Sequence, residues 1–143
     1  MRSDGRDRGR RDGRLVQNRH FEASSLSRPL ANDLPEFQWT QVQTETRTLD
    51  AIVPGSAHAW KPEDFTYRRM NIQASELRAL QGGELVLKHI RAILLELNLE
   101  PRYDNQPTKD DFDVFFGSRG FACTFAHHGT NSTDHANLLY RRR

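Results

Sequence analysis

Apolar residues concentrate in one run of the chain, Glu84 to Leu99, and the remaining sequence is polar by comparison. Within this run, Leu87, Ile90, Leu94 and Leu97 recur at the spacing of one helix face. The pattern predicts a central helix over residues 84–99. Its apolar stripe is wider than a single packed face requires, so we expect it to be covered on more than one side.

A shorter helix is predicted just before the central one, from Ser75 to Leu80. The Gly82-Gly83 pair separates the two helices. Ser75 is expected to cap the shorter helix through its hydroxyl. Two interpretations remain open for the surplus apolar face of the central helix. It either lies in the core against a sheet, or it forms a homodimer or partner surface, and the residues assigned to that surface are Leu85, Val86, Ile93 and Leu95.

Alternating polar and apolar residues predict a strand over residues 37–44 and another over residues 65–72. Leu49 to Val53 either prolongs the first strand or begins a second short one. A hairpin is predicted after the central helix, with strands over 112–116 and 121–127 around the Gly117–Gly120 turn. Its core-facing residues are expected to form the bed of the central helix: Phe112, Val114, Phe116, Phe121, Cys123, Phe125 and His127.

These elements predict an α+β fold, with a small antiparallel sheet of about four strands packed on one face by the central helix pair. The expected organisation is a disordered Arg/Gly/Asp-rich arm and linker over residues 1–35, one α+β domain over 36–140, and a basic tail over 141–143. Residues 138–140 are expected to dock on the domain as a last turn. The open sheet face or the spare helix face would then be the working surface.

The charge distribution is uneven along the chain, although the net charge at pH 7 is only +2. The first 20 residues hold seven arginines and three aspartates, and the last three residues are all arginine. The intervening residues carry 11 basic and 16 acidic side chains. An acidic body with basic ends favours a partner with phosphate groups, whereas the alternative is a pair of solvated tails.

Composition argues against several other functions. A single cysteine leaves no intramolecular disulfide and no paired-cysteine zinc site. Cys123, His127, His128 and His135 lack the spacings of structural zinc ligands, so we expect no metal and no cofactor. Without an apolar leader, the chain is expected in the cytoplasm or nucleus and is not expected to be secreted. An enzyme is not expected, and a metal-dependent nuclease built on Asp110, Asp111 and Asp113 is the remote alternative.

The leading functional prediction is a non-enzymatic RNA-binding protein that reads shape and charge, with double-stranded RNA as one candidate ligand. A small viral accessory protein such as an RNA-silencing suppressor fits this size and composition. Basic ends would attract phosphates, while aromatic and arginine side chains would supply contacts. The residues assigned to binding are Arg6, Arg8, Arg10, Arg11, Arg14, Trp60, Tyr67, Arg68, Arg69, Arg119, Arg141, Arg142 and Arg143.

The alternative prediction is a protein–protein adaptor or dimeric structural subunit that uses the spare apolar face of the 84–99 helix. The two functions differ in their response to salt. Phosphate binding weakens steeply as the salt concentration rises, whereas an apolar interface does not.

Overall fold

The computed structural model describes residues 10–18, 25–30, 39–53, 60–128 and 135–143. The strands are β1 (Arg10–Asn18), β2 (Trp39–Arg47), β3 (Tyr67–Met70), β4 (Ala92–Asn98), β5 (Phe121–His128) and β6 (His135–Arg142). The helices are α1 (Leu49–Ile52), α2 (Glu76–Gln81), α3 (Glu84–His89) and α4 (Lys109–Gly117), with a 3-10 turn at Pro62–Asp64. No helix among the described residues is long and apolar enough to cross a membrane.

A four-stranded sheet in the order β3-β4-β6-β5 organises the domain, and β1 and β2 form a separate antiparallel pair. The prediction of an α+β domain with four sheet strands is confirmed. The sheet is mixed, because β3 runs parallel to β4 while β4, β6 and β5 are mutually antiparallel. The predicted strand over 65–72 and the predicted helix over 75–80 correspond to β3 and α2.

One face of this sheet carries the hydrophobic core. Burial alternates along β4 and β6, so every second side chain is fully covered. The helices contribute their apolar residues to the same cluster, which therefore lies between the sheet and the helical layer. Its largest fully buried members are Tyr140, Phe112, Phe116, Phe121, Leu80, Ile93, Leu95 and Leu138.

The prediction of one central helix over residues 84–99 is wrong. The run forms the six-residue helix α3, turns at Ile90, whose backbone is extended, and continues as the seven-residue strand β4. Leucine-rich runs satisfy helical and strand spacing equally well, and here tertiary pairing with β3 and β6 decides the outcome. Val86, Ile93 and Leu95 are buried in the core, so the predicted partner surface does not exist there, and only Leu85 is exposed.

The predicted hairpin over residues 112–127 is also wrong, because its first half is helix α4. Thr108 caps this helix by accepting the N–H of Asp111, and the Asp111 carboxylate accepts the N–H of Thr108 in return. Phe112, Phe115 and Phe116 then share the buried helix face, whereas Val114 is 75% exposed.

Two shorter predictions need correction, and a third is not confirmed. Residues 49–52 form helix α1 and not a strand. Residues 138–140 belong to β6, an inner strand of the sheet. Arg10–Asn18 pairs with β2, so the disorder expected over residues 1–35 is not confirmed for these nine residues. The strand predicted over 37–44 overlaps β2, and residues 31–38, where the domain was predicted to begin, lie outside the described part of the chain.

Two contacts fix the helical layer. The carboxylate of Asp50 in α1 accepts the backbone N–H groups of Leu85 and Val86 at 3.0–3.1 Å, which caps the start of α3. Gly83 lies so close to Leu49 that an added Cβ would meet its side chain at 3.0 Å. The glycine pair thus permits a close approach between α1 and the α2–α3 junction.

The turn between β3 and α2 is wrapped around a buried carboxylate. Gln73 and Ala74 both have left-handed backbone angles, with φ of 51° and 71°. Glu76, which is 3% exposed, accepts the N–H of Ile72 at 2.6 Å, and further backbone N–H groups of the turn face its carboxylate. The expected capping bond from Ser75 is absent, and its buried hydroxyl has no hydrogen-bond partner among the described residues.

Burial raises the pKa of Glu76 above its usual value, despite the hydrogen bonds that lower it. The folded protein therefore binds this proton at a higher pH than the unfolded chain does. As the pH falls towards the unfolded value of about 4.3, the wild type should gain stability relative to Glu76→Gln, which has no proton to bind. Urea unfolding of both proteins across this pH range tests the prediction, because other carboxylates cancel in the comparison. Parallel pH profiles would contradict it.

Candidate nucleic-acid interface

The face of the four-stranded sheet opposite the helices is the candidate site. Strand register places side chains of all four strands on it, because residues paired across neighbouring strands point to the same side. We call this surface the open face. Its members are Tyr67, Arg69, Ala92, Leu94, Glu96, Asn98, Ala122, Phe125, His127, His135, Asn137, Leu139 and Arg141.

Aromatic side chains stand at both sides of the open face. Tyr67 on the outer strand β3 is 52% exposed, and Phe125 on the opposite outer strand β5 is 51% exposed. Three strand spacings, or roughly 14 Å across the sheet, separate their strands. Phe125 is in register with Arg69, so the two rings are also offset by two residues along the strands. His127 extends the second aromatic position, since its ring lies parallel to that of Phe125 with the centroids 6.0 Å apart. The half-buried Leu94 and Leu139 form an apolar floor between the two sides.

Two arginines supply positive charge on the same face. Arg141 pairs in register with Ala92 and Ala122, and its exposed side chain makes no hydrogen bond or ion pair within the described part of the chain. Arg69 is 63% exposed at its side chain and approaches Glu96 at 3.6 Å, which is a long and solvated ion pair. Both guanidinium groups are therefore accessible to an anion.

A β-bulge in β5 determines which of its side chains lie on the open face. The pairing of β5 with β6 shifts between Cys123 and Phe125, leaving Thr124 as an extra residue. Phe121 and Cys123 consequently face the core side, while Phe125 and His127 face the open side. Strict alternation along the sequence predicts all four on one face. The change of side at the bulge is therefore not visible in the sequence.

Of the predicted binding residues, the sheet brings together Tyr67, Arg69 and Arg141. Trp60 and Arg68 lie on the helical side of β3, at a separate small cluster. There the Trp60 ring meets Phe65 edge-on at 5.8 Å, and the Arg68 guanidinium lies 3.8 Å from the centre of the Phe65 ring. Trp60 is 47% exposed, so this cluster is a second aromatic surface, distinct from the open face.

Arg119 and Arg142 make extensive contacts within the protein. Arg119 pairs with Glu84 and donates to the carbonyl oxygen of Phe115 at 2.9 Å. Its guanidinium also lowers the pKa of the Glu84 carboxyl. Arg142 donates to the carbonyl oxygens of Leu87 and Ile90 at the end of α3, where a cation complements unpaired carbonyl groups.

The remaining predicted residues lie at the chain ends. Arg143 donates its backbone N–H to Gly120 at 2.8 Å, and its side chain is exposed. Strand β1 contains Arg10, Arg11 and Arg14. Arg6 and Arg8 lie outside the described residues.

Sequence reasoning missed Phe125, His127, Leu94 and Leu139 as surface residues. Alternation assigns the first two to the core side because it does not reveal the bulge. Leu94 falls in the predicted central helix, and Leu139 falls in the predicted terminal turn. Only the strand predicted over residues 65–72 places its residues well enough to point to Tyr67 and Arg69.

The structure provides little for metal chemistry. Among the residues it describes, no group of three or more His, Cys, Asp or Glu side chains has a metal-binding arrangement. Cys123 is a free, half-buried thiol facing the core side of β5. Asp110, Asp111 and Asp113 belong to the first turns of α4, where Asp111 caps the helix and Asp113 accepts from Lys109 and Tyr140.

Comparison with known proteins gives no relative from which a function could be transferred: no family model, no curated protein and no solved structure matches this chain.

Proposed function

We propose that this protein binds single-stranded RNA on the open face and does so without catalysing a reaction. One observation carries the proposal. Two half-exposed aromatic rings, Tyr67 and Phe125, share the sheet face opposite the helices with two accessible arginines. Unpaired bases stack on aromatic side chains, and arginines hold the phosphates between them.

The geometry favours single strands over the double-stranded RNA that the sequence left open. Bases in a duplex are stacked on one another and offer no free ring face to Tyr67 or Phe125. A sheet face with separated aromatic positions and an apolar floor at Leu94 and Leu139 suits bases that have been splayed apart. The basic chain ends would add attraction that is independent of base identity.

The adaptor function has lost its principal support, because the 84–99 helix with a spare apolar face does not exist. Three of the four residues assigned to that face are buried in the core of the same chain. The exposed Leu85 on α3 does not amount to an interface by itself, since single exposed apolar residues are normal on protein surfaces.

Fluorescence-anisotropy titration of a labelled single-stranded RNA of mixed sequence tests the proposal, with a duplex and a single-stranded DNA of the same sequence as competitors. We expect the affinity for single-stranded RNA to fall as salt rises. Arg69→Gln and Arg141→Gln should each reduce the slope of log K against log salt by about 0.7, the contribution of one phosphate contact on a single strand.

Lys88→Gln is the matched control, because Lys88 is an exposed cation on helix α3 and not on the sheet. It should leave the slope nearly unchanged. Preference for the duplex, or equal losses in all three variants, would contradict binding on the open face. Absence of binding near physiological ionic strength, about 0.15 M, would contradict the proposed function itself.

A further inference from the structure

A notch lies beside the open face, where β3 has ended and the parallel strand β4 continues to Asn98. It is shallow and opens to solvent. Loops that follow the carboxyl ends of parallel strands commonly form ligand sites in sheet proteins. Polar side chains dominate the lining, and those used below are Asn71, Gln73, Glu96 and Asn98.

The notch and the open face share two residues. Glu96 and Asn98 are successive open-face positions of β4, and both also line the notch. A nucleotide bound near Arg69 can therefore bring the hydrogen-bonding edge of its base to the notch, because Glu96 is 3.6 Å from the Arg69 guanidinium. The opposite wall is the turn around Glu76, whose strained Gln73–Ala74 backbone is held by the buried carboxylate.

Hydrogen-bonding groups in the notch are available to a ligand. Among the described residues, the Glu96 carboxylate has only the long ion pair with Arg69, and its side chain is 26% exposed. The side-chain amide of Asn98 makes no hydrogen bond within the described residues. Asn71 uses its carbonyl oxygen to accept from Gln73 at 2.9 Å, which leaves its NH₂ group as a donor. The site thus offers two acceptor oxygens beside amide donors.

This combination fits guanine better than the other bases. A carboxylate only accepts hydrogen bonds, so it needs two adjacent donors. Guanine presents N1–H and the N2 amino group side by side, and its neighbouring O6 accepts from an amide. Adenine, cytosine and uracil each present an acceptor at one of these positions, and unpaired polar groups in a recognition site are costly.

We propose that the notch binds a guanine base of the RNA held on the open face, with Glu96 accepting from its N1–H and N2 amino group. This inference rests on the proposed function and adds base selectivity to it. The amides of Asn98 and Asn71 are the donors to O6. Glu96 is then a specificity-determining residue, and Arg69 holds the adjoining phosphate.

Four single-stranded RNAs that differ only in one central nucleotide test this, with a fifth that carries inosine, which lacks the N2 amino group. We expect the wild type to bind the guanine oligonucleotide about tenfold more tightly than the adenine, cytosine and uracil versions, with inosine between them. Glu96→Gln should abolish this preference. The affinity of the Glu96→Gln variant for the adenine oligonucleotide should stay the same or rise, because the substitution removes the ion pair between Glu96 and Arg69.

Glu63→Gln is the matched control, since Glu63 is an exposed carboxylate in the 3-10 turn away from the notch. It should retain the guanine preference. Equal affinity of the wild type for all five RNAs, or a preference that survives Glu96→Gln, would overturn the guanine site and leave the proposed function standing. Failure to bind any of them would overturn both.

Discussion

Replacing Tyr67 and Phe125 together by alanine should remove most of the affinity for single-stranded RNA. Each stacked base contributes about 1–3 kcal/mol, which corresponds to about 5- to 150-fold in affinity per ring. Both rings are about half exposed, so the substitutions remove little buried surface and should leave the fold intact. Anisotropy titration gives the affinity, and urea unfolding reports whether stability has changed.

Leu85→Ala combined with Val114→Ala provides the matched control. These side chains are 51% and 75% exposed, and they lie on helices α3 and α4 on the other side of the sheet. The control should bind RNA like the wild type. Equal affinities for the aromatic variant and the control would mean that the open face does not stack bases.

Phe116→Ala should produce the largest loss of stability, about 3–5 kcal/mol in the free energy of unfolding. Phe116 is 0% exposed and packs against Phe121 and Tyr140, with ring centroids 5.4 Å and 4.4 Å apart. Removing the ring leaves a cavity between α4 and the sheet that neighbouring side chains can fill only partly.

Val114→Ala discriminates helix α4 from the strand that alternation predicts over the same residues. A strand would bury Val114 together with Phe116, so both substitutions would be costly. The helix exposes Val114, and its replacement should change the free energy of unfolding by no more than about 0.5 kcal/mol. Urea denaturation of the two single variants measures both values. Comparable losses would contradict the helix.

The elements that sequence reasoning placed well are those with a single strong signal. The alternation in residues 65–72 identified β3 and made Tyr67 and Arg69 candidates for one surface. The Ser75–Leu80 segment, bounded by Gly82-Gly83, identified α2. In both cases local propensity and tertiary context agree, which is why short-range pattern was sufficient.

The run over residues 84–99 could not be assigned by pattern alone. Leu94 and Leu97 continue the helical spacing of Leu87 and Ile90, yet Ile93, Leu95 and Leu97 also alternate as a strand requires. Pairing with two neighbouring strands decides between these patterns, and such pairing is not visible locally. Helix α4, in contrast, had a readable signal that was missed: Thr108 and Asp111 form a capping box before an apolar run.

The candidate site was the hardest part to predict, because its composition depends on the bulge at Thr124. A bulge is defined by the register between two strands, so β5 alone gives no indication that Phe125 faces the open side. Arg119 and Arg142 show the converse problem. Both look like phosphate ligands in the sequence, but each is engaged by carbonyl or carboxylate groups that only the fold brings near.

Leucine methyl NMR during titration with single-stranded RNA shows which side of the sheet the RNA contacts. Along β4 and β6, adjacent leucines point to opposite sides of one sheet: Leu94 and Leu139 to the open face, and Leu95 and Leu138 to the core. Binding on the open face should shift the methyl resonances of Leu94 and Leu139, while those of Leu95 and Leu138 should change little. Shifts at Leu85 on helix α3, with Leu94 and Leu139 unchanged, would contradict binding on the open face.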